Sequence, residues 1–281
     1  MQKVTFPDGR PVSPVGMGSW RLGQRRYPAS DEEDALRLGL DLGMDLIDTA
    51  EMYGDGRSES LIGRAIQGRR DTVYLVSKVY PMNANRTKLE RACDASLTRL
   101  DTDYLDLYLL HWRSGSVLSE AVEGLEKLKM AGKIRAWGVS NLDADDMREL
   151  FELDSNKHCA TNQVLYNLES RGTEFDLQPL LAEHKIPVMA YSPLGGHGGA
   201  LLQESTLTTL ATKHHASPAA VALAWTIRAG NVIAIPEAGA DSHIRENVLA
   251  MTLAARLDAE DLAALDAAFP PPTRAEPLDI R

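Results

Sequence analysis

Short apolar runs alternate along this chain with longer segments whose apolar residues recur at helical spacing. The short runs predict eight strands, at residues 14–17, 45–48, 73–76, 105–110, 134–139, 161–164, 188–191 and 232–235. The segments that follow these strands predict helices near 31–42, 58–67, 86–100, 118–131, 143–153, 176–185 and 241–250. Because parallel strands need long crossover connections, this alternation predicts a parallel sheet with a helix between successive strands.

Capping residues agree with the predicted helices. Residues 30–33 (Ser-Asp-Glu-Glu) resemble a capping box at the start of the first helix. Gly43 and Gly132 stand where helices should end, and Asp143 stands where one should begin. The helix boundaries therefore have local signals besides their periodicity.

Eight strand and helix units favour a closed (β/α)8 TIM barrel over an open doubly wound sheet, which usually has fewer strands per domain. No GxGxxG motif follows the first strand, which also disfavours the open sheet. Residues 205–229 and 258–268 predict added helices near the C-terminus, and a Pro-Asp-Gly turn predicts an N-terminal β-hairpin. We predict one domain over 1–281, with the hairpin at 3–12, the barrel at about 14–250 and a C-terminal helix and tail at 258–281.

Composition narrows the class of protein. The 281 residues are 44% hydrophobic and 25% charged, as in globular proteins, and the net charge of −10 disfavours nucleic acid and anionic membrane partners. Cys93 and Cys159 are too few for a disulfide scaffold and lack zinc-site spacing. No signal peptide or membrane span is visible, so we expect a cytoplasmic protein, with a monomer as the default because no interface pattern stands out.

Polar residues follow the predicted strands at the end where (β/α)8 barrels carry their active sites. Asp48 ends the second strand, and Lys78 and His111 follow the third and fourth. Tyr53 lies five residues beyond Asp48, in the loop before the second helix. Closure of the barrel would bring these four side chains together.

The four side chains have complementary chemistry. A phenol has a pKa near 10, so Tyr53 needs a neighbouring cation to exchange a proton near neutrality, and Lys78 can supply it. Asp48 would keep the lysine charged, and His111 would hydrogen-bond and orient a substrate carbonyl. This set donates a proton but contains no nucleophile, so it predicts carbonyl reduction by a hydride from elsewhere.

Other interpretations exist for each residue taken alone. Asp48 and Lys78 are compatible with a structural ion pair, Tyr53 with a loop aromatic and His111 with a core histidine. A divalent metal site would use Asp48, Glu51 and His111, but the adjacent Lys78 opposes a cation, so no metal is predicted.

Several motifs in this order resemble the aldo-keto reductase family: DTAEMYG at 48–54, Ser77-Lys78, LYLLHW at 107–112 and GKIRAWGVSN at 132–141. The resemblance extends over roughly residues 12–268. It implies a barrel that reduces aldehydes or ketones with a nicotinamide cofactor lying extended across the barrel mouth. It also implies a catalytic tetrad of Asp48, Tyr53, Lys78 and His111, with Tyr53 as the general acid.

The same resemblance implies the residues that bind the cofactor. Ser140, Asn141 and Gln163 would bind the nicotinamide carboxamide, and Tyr191 would stack on the ring. Ser192, Leu194 and Gly195 would line the pyrophosphate, beside a glycine-rich loop at 195–199 whose role is open. The remaining implied positions are Ile235, Glu237, Gly239, His243, Glu246 and Asn247.

Two of these positions depart from the pattern of NADPH-dependent members. Glu237 and His243 stand where a lysine and an arginine usually contact the 2′-phosphate. A carboxylate repels a phosphate and accepts hydrogen bonds from a ribose hydroxyl, which favours NADH. Family usage favours NADPH, and Arg245 is a candidate to offset Glu237. We therefore expect NADPH, with NADH as the alternative.

The substrate pocket is expected in the barrel loops, at Trp20, Tyr80 and Trp112, which predicts apolar and aromatic walls. Arg25, Arg26 and Arg113 in these loops are either solvated charges or ligands for an anionic group. We expect small aldehydes, with a weak preference for anionic ones. Two other functions stay open, a nicotinamide-binding regulatory module without significant turnover and a divalent-metal hydrolase.

Overall fold

A computed structural model of the chain describes residues 3–153, 159–196, 199–237 and 239–280. An antiparallel hairpin comes first, with β1 at Val4–Thr5 and β2 at Pro11–Val12. Eight parallel strands then form one sheet in sequence order. They are β3 (Met17–Gly18), β4 (Leu46–Asp48), β5 (Tyr74–Val79), β6 (Leu105–Leu110), β7 (Ile134–Ser140), β8 (Cys159–Leu165), β9 (Val188–Tyr191) and β10 (Val232–Ala234).

Backbone pairing between the first and last parallel strands closes the sheet into a barrel. Val15 and Gly18 form parallel bridges with Ala234 and Glu237, and the Gly16 N–H donates to the Ala234 carbonyl at 2.8 Å. Gly18 has no room for a side chain, since a Cβ there would lie 2.7 Å from the Ile235 carbonyl oxygen. The predicted (β/α)8 barrel is confirmed.

Helices connect the strands, as predicted. They are α1 (Ala29–Asp41), α2 (Arg57–Ala65), α3 (Leu89–Leu100), α4 (Leu118–Met130), α5 (Ala144–Glu152), α6 (Leu177–Glu183), α7 (Ser205–His214), α8 (Pro218–Thr226), α9 (Asp241–Leu253) and α10 (Ala259–Ala268). Single 3₁₀ turns lie at Arg70–Thr72, Pro81–Asn83, Gly172–Glu174 and Leu201–Gln203. Both α7 and α8 lie between β9 and β10, and α10 follows α9, so the added helices near the C-terminus are also confirmed.

The strands separate two apolar layers. Along β6, Leu107 and Leu109 point into the barrel, whereas Tyr108 and Leu110 pack against the outer helices, as the two-residue period of a strand requires. Val4, Phe6 and Val12 of the hairpin belong to the inner cluster. The hairpin therefore closes the amino-end of the barrel, and the carboxyl ends of the strands form the opposite mouth.

Some element boundaries differ from the sequence predictions. β3 begins at Met17, so most of the predicted first strand at 14–17 is not regular strand. β5 runs three residues beyond the predicted 73–76 and includes Lys78. β5 pairs with β6 as far as Val79 and Leu110. This pairing extends β5 beyond residue 76, where the predicted strand ended.

The capping signals had mixed outcomes. The capping box at 30–33 is wrong: α1 begins at Ala29 with Pro28 at its N-cap and no side-chain cap bond. Glu32 is buried and accepts a hydrogen bond from the Gly23 N–H at 2.8 Å instead. Asp143 does cap α5 by accepting from the Asp146 N–H. In the described ranges no helix is long and apolar enough to cross a membrane.

Both cysteines are free and buried. Burial raises the pKa of the Cys93 and Cys159 thiols to about 12. Since the thiolate is the reactive form, neither side chain is a nucleophile near neutrality.

Candidate active site

Lys78 lies at the centre of a buried polar group in the barrel mouth. Its ammonium donates to Asp48 Oδ2 at 2.7 Å, to the Thr49 carbonyl at 2.8 Å and to the Tyr53 hydroxyl at 3.1 Å. Because an ammonium has three donors, these bonds satisfy it completely. The lysine side chain is 0% exposed, so its position is set by the protein alone.

Adjacent strands explain how residues distant in sequence meet here. β4 and β5 pair in register with Asp48 opposite Val76, and the Thr49 N–H continues the ladder by donating to the Val76 carbonyl. The chain then turns at residues 50–53, where the Tyr53 N–H donates to the Ala50 carbonyl at 3.1 Å. This turn brings Tyr53 back over the end of β5, where its hydroxyl reaches Lys78.

The charges of this group favour an ionised lysine beside a protonated phenol. Burial raises the pKa of Asp48 and the Lys78 charge opposes that rise. Burial acts to lower the pKa of Lys78, but Asp48 and Tyr53 outweigh it, and the net pKa of the lysine is raised. Burial also raises the pKa of Tyr53, against the opposing effect of Lys78. Tyr53 therefore holds its proton near neutrality, as a proton donor must.

His111 follows β6 and faces Tyr53 with 5.8 Å between ring centroids. Burial and the nearby Lys78 charge lower the pKa of His111 to about 2, so the ring is neutral. Its Nδ1 atom is buried and has no hydrogen-bond partner in the described ranges. A neutral ring beside a tyrosine hydroxyl is suited to hold an uncharged oxygen ligand.

This depressed pKa gives a pH prediction. Because His111 stays neutral and Tyr53 stays protonated, we expect kcat for carbonyl reduction to be flat within about two-fold from roughly pH 6 to pH 9. An unperturbed histidine would instead produce a limb near pH 6.5. Buffers of constant ionic strength with saturating cofactor are the suitable conditions, and a limb near pH 6.5 that disappears in His111→Gln would contradict a neutral His111.

The residues predicted to bind a carboxamide continue the same polar group. Gln163 in β8 donates from Nε2 to Asp48 Oδ1 at 2.7 Å, which links it directly to the lysine pair. The Ser140 hydroxyl at the end of β7 donates to the Gln163 carbonyl at 2.8 Å. The barrel therefore places the Gln163 amide against the Asp48 carboxylate and the Ser140 hydroxyl against the backbone of Gln163.

Asn141 connects His111 with the far side of the mouth. Its side-chain amide donates to the His111 carbonyl at 3.2 Å, and its Oδ1 accepts from the Tyr191 hydroxyl at 2.9 Å. Asn141 and Ser192 have positive φ values of 56° and 48°, where the chain leaves β7 and β9. Asn167 holds the second of these turns by donating to the Ser192 carbonyl at 2.9 Å.

The chain after β9 forms a tight turn. The Gly195 N–H donates to the Ser192 carbonyl at 3.0 Å, and Leu194 is half-buried against the outer apolar layer. In the glycine-rich loop, residues 197 and 198 lie outside the described ranges. Ile235 is buried, and its N–H donates to the Ala190 carbonyl.

Glu237, just beyond β10, binds two arginines. Its carboxylate accepts from the Arg21 N–H at 2.8 Å and lies 3.2 Å from Arg21 Nε and 3.3 Å from Arg26 Nη1. The sequence offered Arg245 as a candidate to offset this charge, but the ion pairs of Glu237 in the described residues do not include it. Arg21 and Arg26, both in the loop between β3 and α1, offset the charge instead.

The other positions implied at this end lie along the start of α9. Gly239 packs so closely on Tyr27 that a Cβ would lie 2.9 Å from its ring. His243 is exposed and Glu246 partly buried. Asn247 is 2% exposed, and its Nδ2 has no hydrogen-bond partner in the described part of the chain.

Aromatic rings extend outward from His111. The Trp112 ring lies 4.9 Å from His111 and 5.0 Å from Tyr80, in edge-on contacts. Trp20 is 44% exposed on a neighbouring loop. Two exposed methionines that the sequence analysis did not single out, Met52 and Met82, also lie on loops at this mouth. The mouth therefore has apolar walls around the polar group.

Two charged loop residues that had other interpretations in the sequence have protein partners. Arg113 pairs with Asp146 and with Glu149, whose Oε2 lies 2.6 Å from Arg113 Nη1, so it has protein partners on α5. Glu51, weighed as a metal ligand, accepts from the Tyr80 N–H at 2.6 Å and from Asn83 Nδ2 at 3.1 Å. This carboxylate holds the loop after β5.

Sequence reasoning missed three contributors to the site: Thr49, Arg21 and Asn167. Thr49 acts through its carbonyl, which any residue carries, so no sequence signal marks it. Arg21 and Asn167 act on residues far away in the sequence, Glu237 and Ser192. Arg21 directly follows Trp20, which was predicted to lie in a loop at the barrel mouth, and this position is the sequence signal that could have indicated Arg21.

Comparison with known proteins agrees with this geometry. A family model described as the aldo/keto reductase family matches residues 14–269. The methylglyoxal reductase YeaE of Escherichia coli (strain K12) is 49% identical over 280 residues, covering 99% of this chain and 98% of that protein. A crystal structure of an aldo/keto reductase from Klebsiella pneumoniae in complex with NADP and acetate is 47% identical, covers 100% of this chain and 99% of that one, and has a TM-score of 0.96. A second structure, also from Klebsiella pneumoniae, is an aldo-keto reductase in complex with NADPH, with the same identity, coverage and TM-score.

Proposed function

Because the chain belongs to the aldo/keto reductase family, we propose that it reduces small aldehydes or ketones to alcohols with NADPH, and that Tyr53 donates the proton. The observation that carries the role of Tyr53 is the contact of its hydroxyl with the buried Lys78, at 3.1 Å. The ammonium is held in turn by Asp48, at 2.7 Å. This arrangement supports a phenol poised to release a proton toward a carbonyl oxygen.

In the proposed reaction the nicotinamide, when bound, supplies the hydride. His111 donates a hydrogen bond that orients the substrate carbonyl, and Tyr53 transfers its proton to the developing alkoxide. Lys78 stabilises the phenolate that remains, because its charge acts to lower the pKa of Tyr53. Asp48 keeps Lys78 charged and fixed, so little reorganisation is required as the proton leaves.

The residues of the mouth fit a nicotinamide dinucleotide. Ser140, Asn141 and Gln163 present amide and hydroxyl groups beside the tetrad, where a carboxamide needs donors and acceptors. Asn247 carries a buried donor that has no partner among the described residues, which suits an acceptor nitrogen of a purine. We propose that the other implied residues hold the stacked ring, the pyrophosphate and the ribose: Tyr191, Ser192, Leu194, Gly195, Ile235, Glu237, Gly239, His243 and Glu246.

For the substrate we propose small aldehydes and α-ketoaldehydes, received between Trp20, Tyr80 and Trp112. The apolar and aromatic walls support uncharged carbonyl compounds. The name of the Escherichia coli relative makes methylglyoxal the first compound to test. The complete tetrad favours turnover over a regulatory module that only binds nicotinamide.

The test is loss of dihydronicotinamide absorbance with methylglyoxal and with an aromatic aldehyde, using NADPH and NADH side by side. Turnover with either aldehyde supports the proposal. Tight NADPH binding without turnover across a broad aldehyde panel would favour the regulatory module. Chelator-sensitive hydrolysis without nicotinamide would favour a metal hydrolase.

Arg113 provides a test of substrate charge. Because it is paired with Asp146 and Glu149, we expect Arg113→Ala to change kcat/KM for neutral and anionic aldehydes by the same factor, within about two-fold. Benzaldehyde and a carboxybenzaldehyde are a matched substrate pair for this measurement. A selective loss of about ten-fold with the anionic aldehyde would show that Arg113 binds substrate carboxylates.

We further propose that residues 1–281 form one domain that works as a cytoplasmic monomer without nucleic acid or membrane partners. The hairpin side chains in the inner apolar cluster and the ion pair of Arg171 with Asp266 of α10 support a single unit. The free cysteines and the net charge of −10 support the compartment and the absence of polyanionic partners. Size-exclusion chromatography with light scattering tests the monomer.

A further inference from the structure

The cluster of Arg21, Arg26 and Glu237 lies outside the tetrad, at the edge of the barrel mouth. Glu237 is only 17% exposed, whereas the two arginine side chains are 43% and 49% exposed. The carboxylate is therefore the buried centre of the cluster. The guanidinium groups cover it and also face solvent.

The backbone fixes this cluster at both ends. Gly18 bridges Glu237, and its N–H donates to the Pro236 carbonyl at 2.9 Å. On the other side, the buried Glu32 carboxylate accepts from the Gly23 N–H, midway between the two arginines. The loop that carries both arginines is thus held by hydrogen bonds within the protein.

Aromatic rings support both guanidinium groups. The Arg21 guanidinium carbon lies 5.7 Å from the centre of the Trp20 ring, and that of Arg26 lies 5.6 Å from the Tyr27 ring. Such contacts restrict an exposed arginine and leave its edge available for hydrogen bonds. Arg26 is therefore partly ordered by Tyr27 and Glu237.

The charge of the cluster is suited to an anion. Arg21 and Arg26 share the Glu237 carboxylate, and the Glu32 carboxylate also interacts with Arg26. Both carboxylates are largely buried, so the groups of this cluster that face solvent are the two guanidinium cations. α9 begins at Asp241, four residues after Glu237, and the Asp241 carboxylate offsets the positive potential of this helix N-terminus. Arginine is also the side chain best matched to the geometry of a phosphate.

We propose that Arg26, assisted by Arg21, binds the 2′-phosphate of NADPH, and that Glu237 is a positioning residue for both arginines. This inference rests on the proposed function, which places the ribose end of the cofactor at this edge of the mouth. It reverses the role that the sequence indicated for Glu237. The carboxylate selects for NADPH because it holds two cations in place, and their charge exceeds its own.

The first test is the dissociation constant of each cofactor, measured by quenching of tryptophan fluorescence. Arg26→Gln is expected to weaken NADPH binding by about ten-fold or more and to change NADH binding by less than about two-fold. Arg25→Gln is the matched control, since it removes the same charge from the same exposed loop and should leave the NADPH to NADH ratio unchanged. Equal effects of the two variants would overturn a specific role of Arg26.

A cofactor fragment gives a second readout that does not depend on turnover. We expect wild type to bind adenosine 2′,5′-bisphosphate more tightly than adenosine 5′-monophosphate in a calorimetric titration, and Arg26→Gln to remove most of that difference. Arg21→Gln is a second variant on the same cluster and should act in the same direction. A preference for the bisphosphate that survives in both variants would overturn the inference.

Glu237→Gln distinguishes a positioning role from repulsion. If Glu237 holds the arginines, NADPH binding should weaken by about three-fold or more, with little change for NADH. Unchanged or tighter NADPH binding would overturn the positioning role. The proposed function would be wrong if folded wild type showed no turnover with either cofactor. If wild type reduces aldehydes with NADPH but Arg26→Gln leaves the preference for NADPH over NADH unchanged, only the proposed role of Arg26 would be wrong.

Discussion

Replacement of Tyr53 by phenylalanine is expected to lower kcat for aldehyde reduction by at least about a hundred-fold, which is the usual contribution of a general acid. The substitution removes the hydroxyl that contacts Lys78 at 3.1 Å and keeps the ring that faces His111. Cofactor binding should change by less than about two-fold, because the hydroxyl is directed at Lys78 rather than at the residues proposed for the dinucleotide. Single-turnover rates with saturating NADPH measure the chemical step directly.

Tyr80→Phe is the matched control for this variant. Tyr80 is also an aromatic residue of the mouth, and its ring contacts Trp112, but no bond to Lys78 involves it in the described residues. We expect Tyr80→Phe to keep kcat within about three-fold of wild type. Thermal unfolding must show that both variants are folded. If Tyr53→Phe kept more than about a tenth of the wild-type rate, Tyr53 would not be the proton donor.

Replacement of Lys78 by methionine is expected to lower both stability and turnover. It leaves the Asp48 carboxylate buried without its cation, and breaking such a pair by removing one partner costs about 3–5 kcal/mol of unfolding free energy. The Tyr53 hydroxyl also loses its donor, so kcat should fall by at least about a hundred-fold. Urea unfolding followed by circular dichroism measures the change in stability.

The stability loss in Lys78→Met should depend on pH. Burial raises the pKa of Asp48 even in wild type, and removal of Lys78 takes away the charge that opposes this rise. A carboxyl whose folded pKa lies above its unfolded value binds more protons when folded, so stability falls as pH rises through that interval. The variant should therefore be less destabilised near about pH 5 than near about pH 8. If the loss of stability did not depend on pH, the buried Asp48 charge would be compensated by another group in the variant.

A double substitution separates the ion pair from packing. In Asp48→Asn combined with Lys78→Met, the uncompensated charge is gone and Gln163 keeps an oxygen to donate to. The double variant should recover about half or more of the stability lost in Lys78→Met, while turnover stays low. If the two substitutions destabilised additively, the buried charge would not be the cause of the loss.

Much of the architecture was predictable because it follows from local patterns. The alternation of apolar runs with helical segments indicated the order of strands and helices, and Asp143 capped its helix as expected. Patterns failed where a tertiary contact replaced a local one. Glu32 was expected in a capping box, but it is buried against the Gly23 N–H, because the loop between β3 and α1 needs an acceptor there.

For the site, sequence by itself determined which chemical groups arrive at the barrel mouth. Asp48, Lys78 and His111 lie at or near strand ends, and every strand of a parallel barrel ends on the same face. That placement does not depend on side-chain detail. The resemblance to the aldo-keto reductase family then implied the catalytic role of each group.

Only the tertiary structure decided how the charges are paired. Lys78 uses the Thr49 carbonyl as its third acceptor, and Glu237 binds Arg21 and Arg26 rather than Arg245. Long charged side chains reach several angstroms from their backbone, so their partners depend on loop conformation, which periodicity does not encode. These ion pairs are the basis of the positioning role that we propose for Glu237. The pattern of apolar and polar residues in the sequence therefore determined the barrel, whereas the tertiary structure determined the ion pairs at the edge of its mouth.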